Sequence, residues 1–395
     1  MKYAPISERL TDLGGAKWMV HARARVLKSS GRDIIELTIG EPDVPAPSHL
    51  MDVAIASMQA GRTGYSNGQG EPGLVAALAA KYTARSDRTI TTDQIMCFPG
   101  TQTTLFAVLN ILVTSGDEVL VADPMYATYE GLIASTGAKT VPVPLRVENG
   151  FRLQASDVEA RLTPQSRVLF LNTPHNPTGA MLRRDDILAL GALAKKHDLW
   201  VISDEVYEEM VFEGTKFLSP LSFADFADRT IVAASISKSH AMPGFRSGWC
   251  VGPAEFCARL LPLSETMLFG SQPFIADMTA TAISSPSPVA SGMAARFARR
   301  AQLIEECLHG VSGFTVHRPE AGMFALVDVS ASNLTGEEFA LRLLDEMDVA
   351  VMPGESFGTS LAGWIRLSLT QSDDNTREAC LRIAKFGSDL QRKTP

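Results

Sequence analysis

Ser235-Ile236-Ser237-Lys238, followed shortly by Gly244-Phe245-Arg246, puts a lysine, two hydroxyls and a guanidinium into one short segment. Lysine condenses with aldehydes to form Schiff bases, and serine hydroxyls and a guanidinium fork suit phosphate oxygens. A molecule carrying both groups is pyridoxal phosphate. A lysine among serines is also an ordinary solvated loop, so the rest of the chain must decide.

Four other segments carry compatible chemistry. Asn172-Thr173-Pro174-His175-Asn176-Pro177-Thr178-Gly179 follows a predicted strand and precedes a helix, where open α/β sheets bind ligands, and its prolines and glycine present Asn176. Asparagine bonding its own backbone in a turn is the plainer alternative. Ser203-Asp204-Glu205-Val206-Tyr207 ends another predicted strand. A carboxylate there can pair with a protonated pyridine nitrogen, and Tyr207 can bond a ring oxygen; equally, Asp204 can cap a following helix. Phe98-Pro99-Gly100-Thr101-Gln102 leads from strand to helix and can turn backbone N–H groups toward an anion, while Tyr126 offers a flat ring for stacking. Arg366 sits among apolar neighbours in Trp364-Ile365-Arg366-Leu367-Ser368, where it needs a partner: a substrate carboxylate or an internal acid.

These segments are positioned by an alternation of strands and helices. Apolar runs at 94–98, 118–122, 139–142, 167–171, 200–203, 230–234 and 248–251 read as buried strands, and 73–85 and 185–197 show helical spacing. That pattern predicts an α/β fold whose large domain holds a mostly parallel sheet covered by helices. A helix at 13–29 and an apolar run at 34–39 precede the proline-containing linker at Pro42, Pro45 and Pro47. Beyond Ser284-Ser285-Pro286-Ser287-Pro288, a long helix over 289–308 leads into strands at 315–317, 323–329, 349–351 and 364–369, a smaller α+β domain. The expected division is 1–45, packing with the small domain; 46–285, the large domain; and 286–395, the small domain.

At 395 residues the chain exceeds one ordinary core. Its 45% hydrophobic and 20% charged residues describe a globular protein, and a net charge of −8 without a basic block argues against nucleic acid. Five cysteines without metal-ligand spacing exclude a disulfide framework or zinc site. No metal is expected. The absence of a signal-like N-terminus or an apolar stretch of bilayer length reads as cytoplasmic.

In order, Tyr65, Gly100-Thr101-Gln102, Tyr126, Asn176, Asp204, Tyr207, Ser235-x-Ser237-Lys238, Arg246 and Arg366 resemble the fold-type I pyridoxal-phosphate aminotransferases, over nearly the whole chain. Gly40-Glu41-Pro42-Asp43 and Asn176-Pro177-Thr178-Gly179 are also similar to that family. The resemblance implies a seven-stranded large-domain sheet and a Schiff base on Lys238, with Asp204 on the pyridine nitrogen and Asn176 and Tyr207 at the ring oxygen. Arg246, Ser235, Ser237 and the Gly100-Thr101-Gln102 turn would surround the phosphate, Tyr126 would stack on the ring, and Tyr65 would reach the site of a homodimer partner. Arg366 would take the α-carboxylate, with Asn176 beside it. Gly40 would lie against that carboxylate. Trp18 is expected either as a lid over the substrate or as a packed core residue. His175 and His240 are expected to be structural.

The implied reaction is ping-pong transamination between an L-amino acid and a 2-oxo acid. Thr101 stands where several dicarboxylate-specific relatives carry lysine, which weakens aspartate as donor. The stretches Ala122-Asp123-Pro124-Met125-Tyr126, 146–152 and Ser237-Lys238-Ser239-His240-Ala241-Met242 are similar to bacterial arginine–pyruvate transaminases, whereas Pro243 and Phe245 depart from their threonine and tryptophan. Aspartate or aromatic aminotransfer, or carbon–sulfur β-elimination on the same scaffold, are the alternatives. A regulator containing an aminotransferase-like domain would need a DNA-binding module for which 1–45 is too short and insufficiently basic.

Overall fold

A computed structural model describes residues 2–11, 13, 16–86 and 88–393. Its strands in chain order are β1 (Ile35–Leu37), β2 (Ile95–Phe98), β3 (Glu118–Asp123), β4 (Lys139–Pro144), β5 (Ser166–Asn172), β6 (Trp200–Asp204), β7 (Thr230–Ser235), β8 (Gly248–Val251), β9 (Thr315–His317), β10 (Phe324–Asp328), β11 (Val349–Pro353) and β12 (Trp364–Ser368).

Seven of these form one sheet in the order β2-β8-β7-β6-β5-β3-β4. All its pairings are parallel except the two made by β8. Apart from the edge strand β4, which is partly exposed, these strands are buried on both faces, as a helix-covered parallel sheet requires. On one side pack Leu105, Val108, Ile133 and Phe256, and on the other Leu78, Trp249, Ile275 and Met278.

The second sheet runs β1-β11-β12-β10-β9. Here β1, from the N-terminal segment, pairs parallel with β11, and the remaining pairs are antiparallel. Its core lies against the helices Pro288–Leu308, Gly336–Met347 and Asp373–Lys393 through Phe297, Phe339, Leu343, Ile383 and Phe386.

Near the N-terminus the expected helix over 13–29 is shorter. A 3-10 turn, Ala16–Trp18, precedes the α-helix Met19–Ser29, and Gly14 and Gly15 lie outside the described residues. Trp18 has a half-turned backbone at φ −109, ψ 11, so regular helix begins only after it. Among the described residues, no helix is long and apolar enough to cross a membrane.

Candidate active site

Parallel strands deliver their carboxyl ends to one edge. Register sets Asn172 of β5 beside Asp204 of β6 at that edge. From the end of β7 the chain enters a one-turn helix, Ile236–Ser239, which carries Lys238. The Ser235 hydroxyl caps that turn, accepting the N–H of Ser237. Asn172 ties two loops together: its Oδ1 accepts the Asn176 N–H at 2.8 Å and its Nδ2 donates to the Asp204 carbonyl at 3.1 Å.

These residues face a cavity of about 230 Å³, which Gly40, Phe324 and Arg366 close from the second sheet. Lys238, Asp204, Tyr207, Asn176, Tyr126, Thr101, Gln102, Ser235, Ser237, Arg246 and Trp18 also line it. Trp18 lines the cavity and also packs on the core beneath. Tyr65 lies elsewhere. It is 88% exposed, edge-on to the 66% exposed ring of Phe269 at 5.3 Å. His175 and His240 do not line the cavity. His175 bonds Thr178 at 2.8 Å and His240 bonds Ser239 at 2.8 Å and the Ala282 carbonyl at 2.9 Å.

Lys238 Nζ donates to the Gly40 carbonyl at 2.7 Å. Burial, with smaller contributions from the Arg366 and Arg246 charges, brings its amine down to about 8, against the pull of Glu41. Asp204 meets no helix; a turn follows β6. Its Oδ1 accepts the Val206 N–H at 3.1 Å and its Oδ2 accepts the Tyr129 hydroxyl at 2.8 Å. Burial pushes its carboxyl up to about 6, and these two donors hold it below what burial alone would impose.

Arg366 is 2% exposed. Among the described residues it has no carboxylate partner: Nη1 donates to Asn176 Oδ1 at 3.1 Å, Nη2 to the Thr38 carbonyl at 2.6 Å, and Nε to nothing. The internal salt bridge offered as its alternative is therefore not formed. Burial without an acid pulls its guanidinium down to about 9, against the nearby Tyr207 and Tyr126.

Anion chemistry gathers at the other end. Gly100, at φ +84, leads into the helix Thr101–Leu112, whose N-terminus has no side-chain cap. A Cβ on Gly100 would meet the Arg246 guanidinium carbon at 2.7 Å, and one on Gly248 would meet the Gly100 carbonyl carbon at 2.6 Å. Both glycines permit this close approach. Among the described residues, Thr101 Oγ1 is buried without a partner, and Arg246 donates only to the Pro243 and Pro99 carbonyls. An orphaned hydroxyl, open backbone N–H groups and a guanidinium suit a phosphate. With an amine near neutrality and a buried carboxylate across an aromatic wall, the donor set fits pyridoxal phosphate.

Sequence reasoning missed Tyr129, Asn172 and Phe324. Tyr129 opens the helix Tyr129–Thr136 and Tyr126 precedes it, so no helical periodicity marked Tyr129; its ring stands edge-on to Tyr126 at 5.5 Å. Phe324 reads locally as an ordinary strand residue; only the pairing of Leu326 with Arg366 puts it diagonally across from the arginine.

Residues 32–383 match the family described as aminotransferase class I and II. The chain is 44% identical over 390 residues to the arginine–pyruvate transaminase AruH of Pseudomonas aeruginosa, covering 99% of each chain. It is 32% identical over 383 residues to an aspartate aminotransferase of Streptomyces avermitilis, covering 94% of this chain and 93% of that one. Among solved structures, the aspartate aminotransferase of Thermus thermophilus with maleate superposes with a TM-score of 0.90 at 30% identity, over 98% of this chain and 100% of that one.

Proposed function

The chain belongs to the class I and II aminotransferases, and on that premise we propose that it moves the amino group of L-arginine, or of another donor lacking a second carboxylate, onto pyruvate. As a member of that family it transfers an amino group between an amino acid and a 2-oxo acid, and the family implies pyridoxal phosphate. The observation that carries the substrate reading is the cavity's set of cations. Among the described residues only Lys238, Arg246 and Arg366 line it, and each has a role in binding cofactor or α-carboxylate. Among the described residues of the same chain no fourth cation lines the cavity to meet a distal carboxylate, which agrees with Thr101 standing after Gly100.

In this reading pyridoxal phosphate, when bound, supplies the carbonyl that captures the donor's amine and the ring that accepts the electron pair left at Cα. Arg246, Ser235, Ser237 and the N-terminus at Gly100-Thr101-Gln102 would hold its phosphate, and Tyr126 would pack on its ring. Asp204 would pair with the ring nitrogen, and Asn176 and Tyr207 would hold the ring oxygen. Arg366 takes the donor's carboxylate in a charge-assisted fork and so fixes which Cα–H points at Lys238. Lys238, its amine lowered toward neutrality by burial, takes the α-proton at Nζ and releases it again. The Gly40 carbonyl aims that nitrogen. The second half-reaction uses the same residues with the 2-oxo acid, giving ping-pong kinetics.

We further read the protein as a cytoplasmic homodimer in which Tyr65 reaches the partner's site; its exposure beside Phe269 supports an interface there. The division at residues 45 and 285 belongs to the same reading, supported by β1 pairing with β11.

A donor panel with pyruvate and 2-oxoglutarate tests the assignment. L-Arginine with pyruvate should give alanine at a higher kcat/KM than L-aspartate with 2-oxoglutarate. The reverse order would reassign the donor, and thiol and pyruvate release from cystathionine without alanine formation would replace transfer by β-elimination.

A further inference from the structure

The Arg366 guanidinium carbon lies 3.8 Å from the ring centroid of Phe324 and 4.2 Å from that of Phe357. A buried guanidinium without a counter-ion is costly, and Arg366 has only two oxygen acceptors to offset that cost. Two aromatic faces supply further negative surface, and the attraction strengthens once water is excluded. They also constrain the plane of the fork. Among the described residues, two of its five N–H donors are used by protein, and the others, Nε–H among them, have no partner.

Gly40 bears on the same arrangement. A Cβ there would meet the Phe324 ring at Cε1 at 2.9 Å and come closer still to Cζ. The space a side chain would need at position 40 is filled by the ring that stacks on Arg366.

We propose that Phe324 and Phe357 are positioning residues for the carboxylate site, clasping the Arg366 guanidinium between their rings, and that Gly40 is glycine so that Phe324 can stack there. This rests on Arg366 being the carboxylate site. Phe357 is not among the residues lining the cavity, so its effect on binding runs through Arg366. The clasp selects for substrates carrying an α-carboxylate: L-alanine gains from it, and ethylamine, the same molecule without the carboxylate, does not.

The test uses the holoenzyme and its Phe357→Leu, Phe324→Leu and Arg366→Gln variants. The affinity of propionate, a carboxylate that cannot react, is read from the bound cofactor's absorbance, together with amine transfer from L-alanine and from ethylamine. Both leucine variants should weaken propionate about tenfold or more and raise the KM of alanine; in Phe357→Leu, whose ring does not line the cavity, kcat should stay within about twofold and ethylamine transfer should be unchanged. Wild-type propionate affinity in both leucine variants, with loss in Arg366→Gln, overturns the clasp and leaves the carboxylate site standing. Undiminished binding in Arg366→Gln overturns the site and the clasp together. If one leucine variant fails to fold, the other decides. The wild-type Arg366 guanidinium resonance decides without any variant: ring currents from two faces should shift it upfield, and an unshifted signal overturns the proposal.

Discussion

Lys238 donates its amine hydrogen to the carbonyl of Gly40, 198 residues away in sequence, at 2.7 Å. That bond joins the carboxyl edge of the seven-stranded sheet to the segment leaving β1 of the second sheet. The base and the carboxylate-binding arginine are thus held to one frame, since Gly40 also borders Phe324 and, through it, Arg366.

A lysine held near 8 costs stability. Its folded pKa lies below the ordinary 10.5, so the unfolded chain binds the extra proton between about 8 and 10.5 and stability rises with pH across that window. Lys238→Met in the cofactor-free protein should be more stable than wild type at pH 7, by roughly 2 kcal/mol after discounting for an amine only part-buried in the cavity. The gap should close as pH rises through that window. Denaturant melts at pH 7 and pH 10 measure it; an equal gap at both would contradict the account.

Tyr129→Phe removes a hydroxyl and keeps a ring packed at a tilt against Phe170, 4.4 Å between centroids. Asp204 already lies above its ordinary 3.8, at about 6, with the Tyr129 bond pulling it back down. Without that bond the carboxyl protonates at higher pH. The acid limb of pyridoxal-phosphate uptake by the cofactor-free protein should move up by about one pH unit, as expected for losing one hydrogen bond to a buried charge. Titrated cofactor binding reads this directly, and an unmoved limb would contradict it.

Much of this arrangement is legible in the sequence. Each predicted large-sheet strand appears within one or two residues, because apolar runs, buried on both faces in every strand but the edge strand β4, leave a strong local signal. Lys238, Asp204 and Asn176 stand where strands end, which is why their chemistry could be read from flanking patterns. The contacts that tune them could not. Tyr129 meets Asp204 across 75 residues, and the two rings on Arg366 come from β10 and from the turn after β11. Such rings look like core residues until β10 and β11 both pair antiparallel with β12 and bring them to the arginine. At the N-terminus the helical spacing overran its true start, because Trp18 turns into the cavity instead of continuing the helix.

Gly100→Ala places a Cβ against the Arg246 guanidinium and forces an L-residue to φ +84. The variant should lose about 1–3 kcal/mol of stability and bind pyridoxal phosphate about tenfold or more weakly. Thermal melts and cofactor titration check the two effects separately. Unchanged cofactor affinity would remove the Gly100 turn from the phosphate site.

If Tyr65 acts across a dimer, two inactive proteins should repair each other. Homodimers of Tyr65→Ala and of Lys238→Ala, dissociated and mixed, should form hybrids with one intact site and regain about a quarter of wild-type activity. No recovery in verified hybrids would place Tyr65 outside the partner's site.

Borohydride reduction of the holoenzyme, followed by digestion and mass spectrometry, tests the central claim most directly. The account predicts one phosphopyridoxyl group, on Lys238, and none in Lys238→Ala; a group on another lysine, or none in cofactor-loaded wild type, would contradict it.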